Sequence, residues 1–199
     1  MPKVVDHDGR RVALADALMR LIERDGAEAV SMRAVAAEAG WSTGVLAHYF
    51  ADKDALLTYA FELVWERGAA RADRRAAAGR DPAATLRALL SELLPLDPER
   101  RREARLWFAF LERARTGPAM ADVVRRRYDL WSERLEGALL TAGHEPDDAA
   151  ALALELMALV DGLTIQALTG PRRLGPTAQE RALDAALTRR PPPPGSAVP

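Results

Sequence analysis

Six small or polar side chains in one short stretch can do chemistry on a polyanion: Ser42, Thr43, Gly44, His48, Tyr49 and Lys53. Ser42 and Thr43 carry hydroxyls that both donate and accept, and Gly44 leaves the backbone bare, so a large ligand can come close. His48 and Tyr49 follow about a turn later on a helix. Lys53 comes directly after Asp52, whose carboxylate can cap a new helix. The lysine then stands beside unpaired N–H groups at the positive end of a helix dipole, where a phosphate is readily held. Phosphate contacts set register and orientation on a duplex, whereas base edges carry its sequence. A hydroxylated first turn and a cation behind it supply both kinds of contact.

Catalysis is poorly served by the same chain. His7, His48 and His144 are scattered, with no adjacent nucleophile, no H-E-x-x-H spacing and no Gly-rich phosphate loop. The absence of cysteine excludes a disulfide framework, thiolate metal sites and cysteine nucleophiles, and fits a reducing cytosol. No catalytic residue, metal set or cofactor is expected, and the chain is not read as an enzyme.

The chemistry needs rigid elements, and residues 31–57 supply them. Ser31 precedes Met32, Val35, Ala36 and Ala39, so it can cap a helix whose apolar spacing turns one face inward. Gly40 suits a left-handed C-cap. Ser42 or Thr43 caps the next helix, whose buried side is Leu46 and Phe50, with Tyr49 divided between core and contact. Two short helices joined by so tight a turn match a helix-turn-helix, whose second helix enters the DNA major groove. A helix over residues 8–25, with Leu14, Leu18, Leu21 and Ile22 on one stripe and Gly26 as its stop, braces the pair.

The block Ser42-Thr43-Gly44-Val45-Leu46-Ala47-His48-Tyr49-Phe50, with Lys53 and Leu56-Leu57 after it, closely resembles the DNA-binding signature of TetR-family transcriptional regulators. Ser31-Met32-Arg33-Ala34-Val35-Ala36 is similar to the helix that leads into that signature. The resemblance covers residues 11–57 closely and the rest only in helical pattern. Many members carry a tyrosine where this chain has Ala47, which removes one expected DNA contact. Small residue followed by His-Tyr-Phe is closer to the branch containing the choline-responsive regulator BetI. The resemblance implies an all-α, two-domain protein: a three-helix helix-turn-helix domain over residues 1–56, and a helical bundle for ligand and dimer over 57–190. It also implies a homodimeric repressor, released from a pseudo-palindromic double-stranded operator by a small-molecule effector. Arg33, Ser42, Thr43, Gly44, His48, Tyr49 and Lys53 are then the expected DNA-binding residues.

Charge argues less simply. The formal net charge is -1, and the first sixty residues carry slightly more acids than bases. A basic stripe is the usual footprint of nucleic-acid binding. The expectation is that Arg10, Arg11, Arg33 and Lys53 gather on one face while most acids turn elsewhere. A helical small-molecule carrier that never touches DNA is the alternative that an acidic count would suit.

Downstream, a long helix starts at residue 53 and runs to about residue 79, placed as a lever between the two expected domains. Further helices are expected over residues 83–94, 98–115, 119–142, 146–169 and 177–189, each bounded by Pro or Gly. Large apolar side chains fall within them, and such residues serve as bundle core or line a pocket. By the family resemblance, Trp65, Trp107, Phe108, Leu111, Tyr128 and Trp131 are the expected effector-lining residues. The helix over residues 146–169 is apolar almost all round and so needs covering on every side. Glu155 and Asp161 interrupt it, so no membrane span is read there. A partner subunit is the remaining cover, with Leu152, Leu156, Leu159, Val160 and Leu163 as the expected dimer contacts. No apolar signal segment opens the chain, so a cytoplasmic location is expected. The proline run and the tail over residues 191–199 are expected to be disordered.

Overall fold

Side chains that reach only three residues along the chain decide where the first helices begin. The structure, a computed structural model, describes residues 6–78 and 81–188. Helix α1 (His7–Asp25) starts at Asp6, whose Oδ1 accepts the Gly9 N–H at 2.9 Å. It ends at Gly26, where φ is 84°. A single 3-10 turn (Ala27–Ala29) leads to Ser31, whose hydroxyl accepts the Ala34 N–H at 3.1 Å and opens α2 (Met32–Glu38). Gly40 then turns the chain at φ 73°, a left-handed conformation that a Cβ would strain. Of the two candidate caps for α3 (Thr43–Tyr49), Ser42 is the one used, accepting the Val45 N–H at 3.3 Å. Asp52 accepts the Ala55 N–H at 2.8 Å, and α4 (Lys53–Ala77) begins at Lys53 as the spacing predicts.

The remaining helices are α5 (Pro82–Glu92), α6 (Pro98–Ala114), α7 (Pro118–Thr141), α8 (Pro146–Thr169) and α9 (Pro176–Thr188). Every one of the five opens on a proline, whose fixed φ suits a first helical turn and whose missing N–H would go unpaired there anyway. All the expected helices form, with ends shifted by a residue or two. No strand occurs among the described residues. The tail expected to be disordered lies outside them.

The chain divides into two compact units, residues 1–67 with 105–121 and residues 68–104 with 122–199. Helix α4 runs unbroken through residue 56, the expected domain boundary, and on past residue 67, where the first unit's opening segment ends. In the first unit, Leu14, Leu18, Val35, Leu46, Phe50, Leu56 and Leu57 are buried and form the common core of α1 to α4. Full burial of such side chains stabilises by about 1.5–3 kcal/mol each, so the small helices hold by packing rather than by helix propensity. Phe61 stacks on Phe110 with ring centres 4.4 Å apart and on Trp107 at 5.3 Å.

In the second unit, α9 packs against α5 and α8. Leu86, Leu90, Leu135, Leu139, Leu156, Val160 and Leu183 are buried there. Arg71 sits among carboxylates, with Nε 2.7 Å from Glu92 and Nη2 bonded to Glu103, while Arg75 Nη1 lies 2.8 Å from the other Glu92 oxygen. Burial raises the Glu103 carboxyl above its ordinary range against the pull of Arg71. Breaking such a buried pair by removing one partner is costly, since the other charge is then left uncompensated.

Helix α8 departs from expectation in one respect. By length and hydropathy it is able to cross a membrane, yet Ala153, Leu156, Met157, Val160 and Leu163 are buried within the chain. Three of the expected dimer contacts, Leu156, Val160 and Leu163, therefore belong to the chain's own core. Leu152 and Leu159 are half-buried. The large apolar side chains left open on the helix are Leu154, 70% exposed, and Ile165, 48% exposed. Apolar periodicity on a helix that is apolar all round cannot tell the two faces apart.

Candidate functional site

The recognition-helix candidate α3 is held from behind and left open in front. Leu46 is fully buried and Phe50 nearly so, whereas Thr43, Gly44, Val45, Ala47 and His48 are exposed and Tyr49 is half-buried. A Cβ built on Gly44 would meet only the Ser42 hydroxyl, at 3.9 Å, and its φ is not positive. Nothing in the chain requires glycine there, although glycine inside a helix costs up to about 1 kcal/mol relative to alanine. Gly44 leaves the surface of α3 bare at that point.

Pairing explains how a slightly acidic unit can offer cations. Glu38 binds Arg24 at 2.7 Å and Arg20 at 3.0 Å, and those hydrogen bonds, Arg24's foremost, hold its carboxyl below the ordinary range. Asp16 faces Arg67 at 3.4 Å. Asp54, the acid next to Lys53, is gripped by Arg113 at 2.7 Å. Among the described residues Arg10, Arg11, Arg33 and Lys53 have no carboxylate partner, and these are the four expected to face a ligand. Arg11 is partly spent within the unit, its guanidinium 4.2 Å from the Tyr59 ring centre and 5.3 Å from that of Phe50. Arg33 is exposed on α2 and Lys53 is half-buried at the head of α4.

Two residues of this surface, Val45 and Trp41, escape a reading of the sequence, as does the contact that Arg10 makes there. Val45 is 38% exposed, and a helical wheel anchored on Leu46 and Phe50 is the signal that would have placed it outward. Trp41 packs its ring 6.3 Å from Tyr49, and Arg10 reaches Tyr49 from α1. No local pattern announces a contact between residues so distant in sequence.

The expected effector residues distribute over both units. In the first, Trp65 and Trp107 flank Phe61 with ring centres at 6.2 and 5.3 Å, and Phe108 and Leu111 are half-buried. In the second, Trp131 is buried with the Arg134 guanidinium 5.2 Å from its ring centre. Tyr128 donates its hydroxyl hydrogen to Asp161 at 2.8 Å. Burial and then the neighbouring carboxylate push the Tyr128 hydroxyl up. The second unit also has an open cleft of about 670 Å³, lined by Asp73, Ala76, Asp81, Pro82, Thr85, Leu89, Arg134, Gly137, Ala138 and Thr141. None of the six expected residues lines it. Among the described residues no group of three or more His, Cys, Asp or Glu is placed to hold a metal ion.

Asp161 supplies a pH test of this region. Burial raises its carboxyl above the ordinary value, outweighing the Tyr128 hydrogen bond. Between the ordinary and the raised value the folded chain binds more protons than the unfolded one, so stability falls as pH rises through that window. Asp161→Asn keeps an oxygen acceptor for Tyr128 and is expected to remove this slope. The variant gains roughly 1 kcal/mol above the window, the scale of one relieved buried polar group, and nothing below it. Urea denaturation at fixed protein concentration across acid to neutral pH measures the difference.

Comparison with known proteins bears on the same surfaces. Residues 14–60 match the family model described as bacterial regulatory proteins, tetR family, and residues 82–191 match that of the BetI-type transcriptional repressor C-terminal domain. The HTH-type transcriptional regulator PksA of Bacillus subtilis is 36% identical over 179 residues, covering 87% of this chain and 86% of PksA. The HTH-type transcriptional regulator BetI of Paraburkholderia phymatum is 33% identical over 175 residues, 85% of this chain and 87% of its own length. Among solved structures, a transcriptional regulator from Rhodococcus sp. Rha1 superposes with a TM-score of 0.83 at 35% identity, covering 89% of this chain and 94% of that one. A regulator from Saccharomonospora viridis in complex with choline gives a TM-score of 0.81 at 26% identity, covering 92% and 97%.

Proposed function

Since the chain belongs to the TetR family of transcriptional regulators, with a C-terminal domain of the BetI type, we propose that it is a homodimeric repressor that an effector releases from DNA. The observation that carries this reading is the open face of α3, where Gly44 is kept without any need inside the chain. Ser42, Thr43 and Gly44 approach base edges, Val45 offers an apolar contact for a thymine methyl, and His48, Tyr49, Lys53 and Arg33 hold phosphates. Residues 1–56 form the DNA-binding domain and 57–190 the effector and dimerisation domain. The relatives' roles as regulators support a non-enzymatic chain acting in the cytoplasm.

Two-fold symmetry presents two copies of α3 to half-sites about one helical turn or more apart, which calls for a pseudo-palindromic operator. The dimer face is the exposed side of α8, where Leu154 and Ile165 stand open and a Cβ on Gly162 would meet nothing within 4 Å. Leu152 and Leu159 border it. Effector binding acts through α4, whose first residue is the Lys53 phosphate contact, by favouring the conformation with the wrong half-site spacing. Trp65, Trp107, Phe108, Leu111, Tyr128 and Trp131 remain the effector candidates, with the cleft at Asp73, Asp81 and Arg134 as a further location. The choline complex of the Saccharomonospora viridis regulator makes choline the first probe to try.

A gel shift of the full-length protein on an operator selected from a random duplex library tests the reading, and choline or a hit from a thermal-shift screen should reverse the shift. Absence of any shift at low salt would leave the carrier alternative standing. Gly44→Ala adds a sharper arm. It is expected to keep or raise thermal stability, by up to about 1 kcal/mol, while weakening operator binding about tenfold, because the new methyl stands where the duplex must approach.

A further inference from the structure

The first turn of α1 reaches the end of α3 and builds a single patch with it. Arg10 donates from Nη1 to the Tyr49 hydroxyl at 3.2 Å, and its guanidinium carbon lies 5.7 Å from the Trp41 ring centre. The His7 ring stands 5.5 Å from Tyr49 and 6.0 Å from His48. Tyr49 in turn is 5.4 Å from His48. One helix thus lends a cation and an imidazole to the rim of another, 39 residues away in sequence.

The Arg10 cation is held but not neutralised. It is exposed, and among the described residues no carboxylate pairs with it, whereas Arg20, Arg24, Arg67 and Arg113 of the same unit are each bound by one. A guanidinium has five N–H donors in a rigid fork, and the Tyr49 bond uses one. The Trp41 ring and Tyr49 hydroxyl together restrict its rotamers, which lowers the entropy lost when the remaining donors meet an acceptor. A planar cation so presented is suited to two oxygens of one phosphate.

We propose that Arg10 is a DNA-contacting residue that bridges Tyr49 to a backbone phosphate, so that α1 as well as α3 and α4 grips the duplex. The inference rests on the DNA-binding reading of α3. The contact carries no sequence information, since a phosphate is the same at every step. It positions Tyr49 and adds one released counterion per subunit.

The test compares wild type, Arg10→Ala, Arg10→Lys and Tyr49→Phe on the selected operator and on a random duplex of equal length, over a series of salt concentrations. Arg10→Ala is expected to weaken both duplexes by a similar factor, about tenfold, and to flatten the slope of log K against log salt by about one per subunit engaged. Arg10→Lys should restore most of the slope, and Tyr49→Phe should weaken binding while leaving the slope unchanged, because a neutral hydroxyl releases no counterion. If Arg10→Ala binds with the wild-type slope, Arg10 is only a strut for Tyr49 and the proposal falls, even where Thr43 and Lys53 variants lose binding. If the wild type shifts neither duplex at low salt, the proposal falls together with the reading beneath it. Thermal melts of all four proteins separate lost contacts from lost folding, and Arg10→Lys keeps the comparison decisive should the alanine variant unfold.

Discussion

The Thr43→Ala, Lys53→Ala double variant is expected to lose operator binding by at least about 100-fold while folding as the wild type does. Thr43 is exposed at the first residue of α3, and a good base-edge contact contributes about 1–3 kcal/mol of discrimination. Lys53 opens α4 beside the Asp52 cap, and its neighbour Asp54 is occupied by Arg113, so the ammonium charge is not cancelled locally. In a dimer each loss is counted twice, once per half-site. Loss of Lys53 should also reduce the salt dependence by about one phosphate contact per subunit, a slope change near 0.9 each. Thr43 is exposed and Lys53 only half-buried, so neither belongs to the core and the melting temperature should move little. Fluorescence anisotropy on a labelled operator reads the affinity. Wild-type binding by this variant would remove the α3 surface from the account.

The second large effect is expected from Leu154→Glu. Leu154 is 70% exposed in the single chain, so a glutamate there leaves the folded subunit intact. At the proposed two-fold interface the same change carries a carboxylate from each subunit into an apolar setting, where each isolated charge costs several kcal/mol. Size-exclusion chromatography with light scattering should then report a monomer. Operator binding should fall by orders of magnitude, because one half-site alone supplies only half of the contacts. Leu156→Ala is the informative contrast. Leu156 is fully buried within the chain, so its truncation should cost about 2–5 kcal/mol of stability and act on folding rather than on the interface. A Leu154→Glu protein that stays dimeric and keeps its affinity would place the subunit contact elsewhere.

The sequence by itself determined the parts of this protein that depend on near neighbours. The caps at Ser31 and Asp52, the cap of α3 narrowed to Ser42 or Thr43, the glycine stops at Gly26 and Gly40, and the prolines that bound the later helices all act within three or four residues, a distance at which side-chain type is nearly decisive. The helix-turn-helix and its exposed hydroxyls were legible for that reason. Only the tertiary structure decided which acid neutralises which arginine, since Asp54 finds Arg113 and Asp16 finds Arg67 across long stretches of chain. It alone brought Arg10 to Tyr49, and it alone chose the covered face of α8, leaving Leu154 and Ile165 open while burying Leu156 and Val160. An apolar pattern states that a side chain avoids water. It does not say which neighbour, from this chain or another, provides the shelter, because burial is non-directional and is settled only when the helices meet.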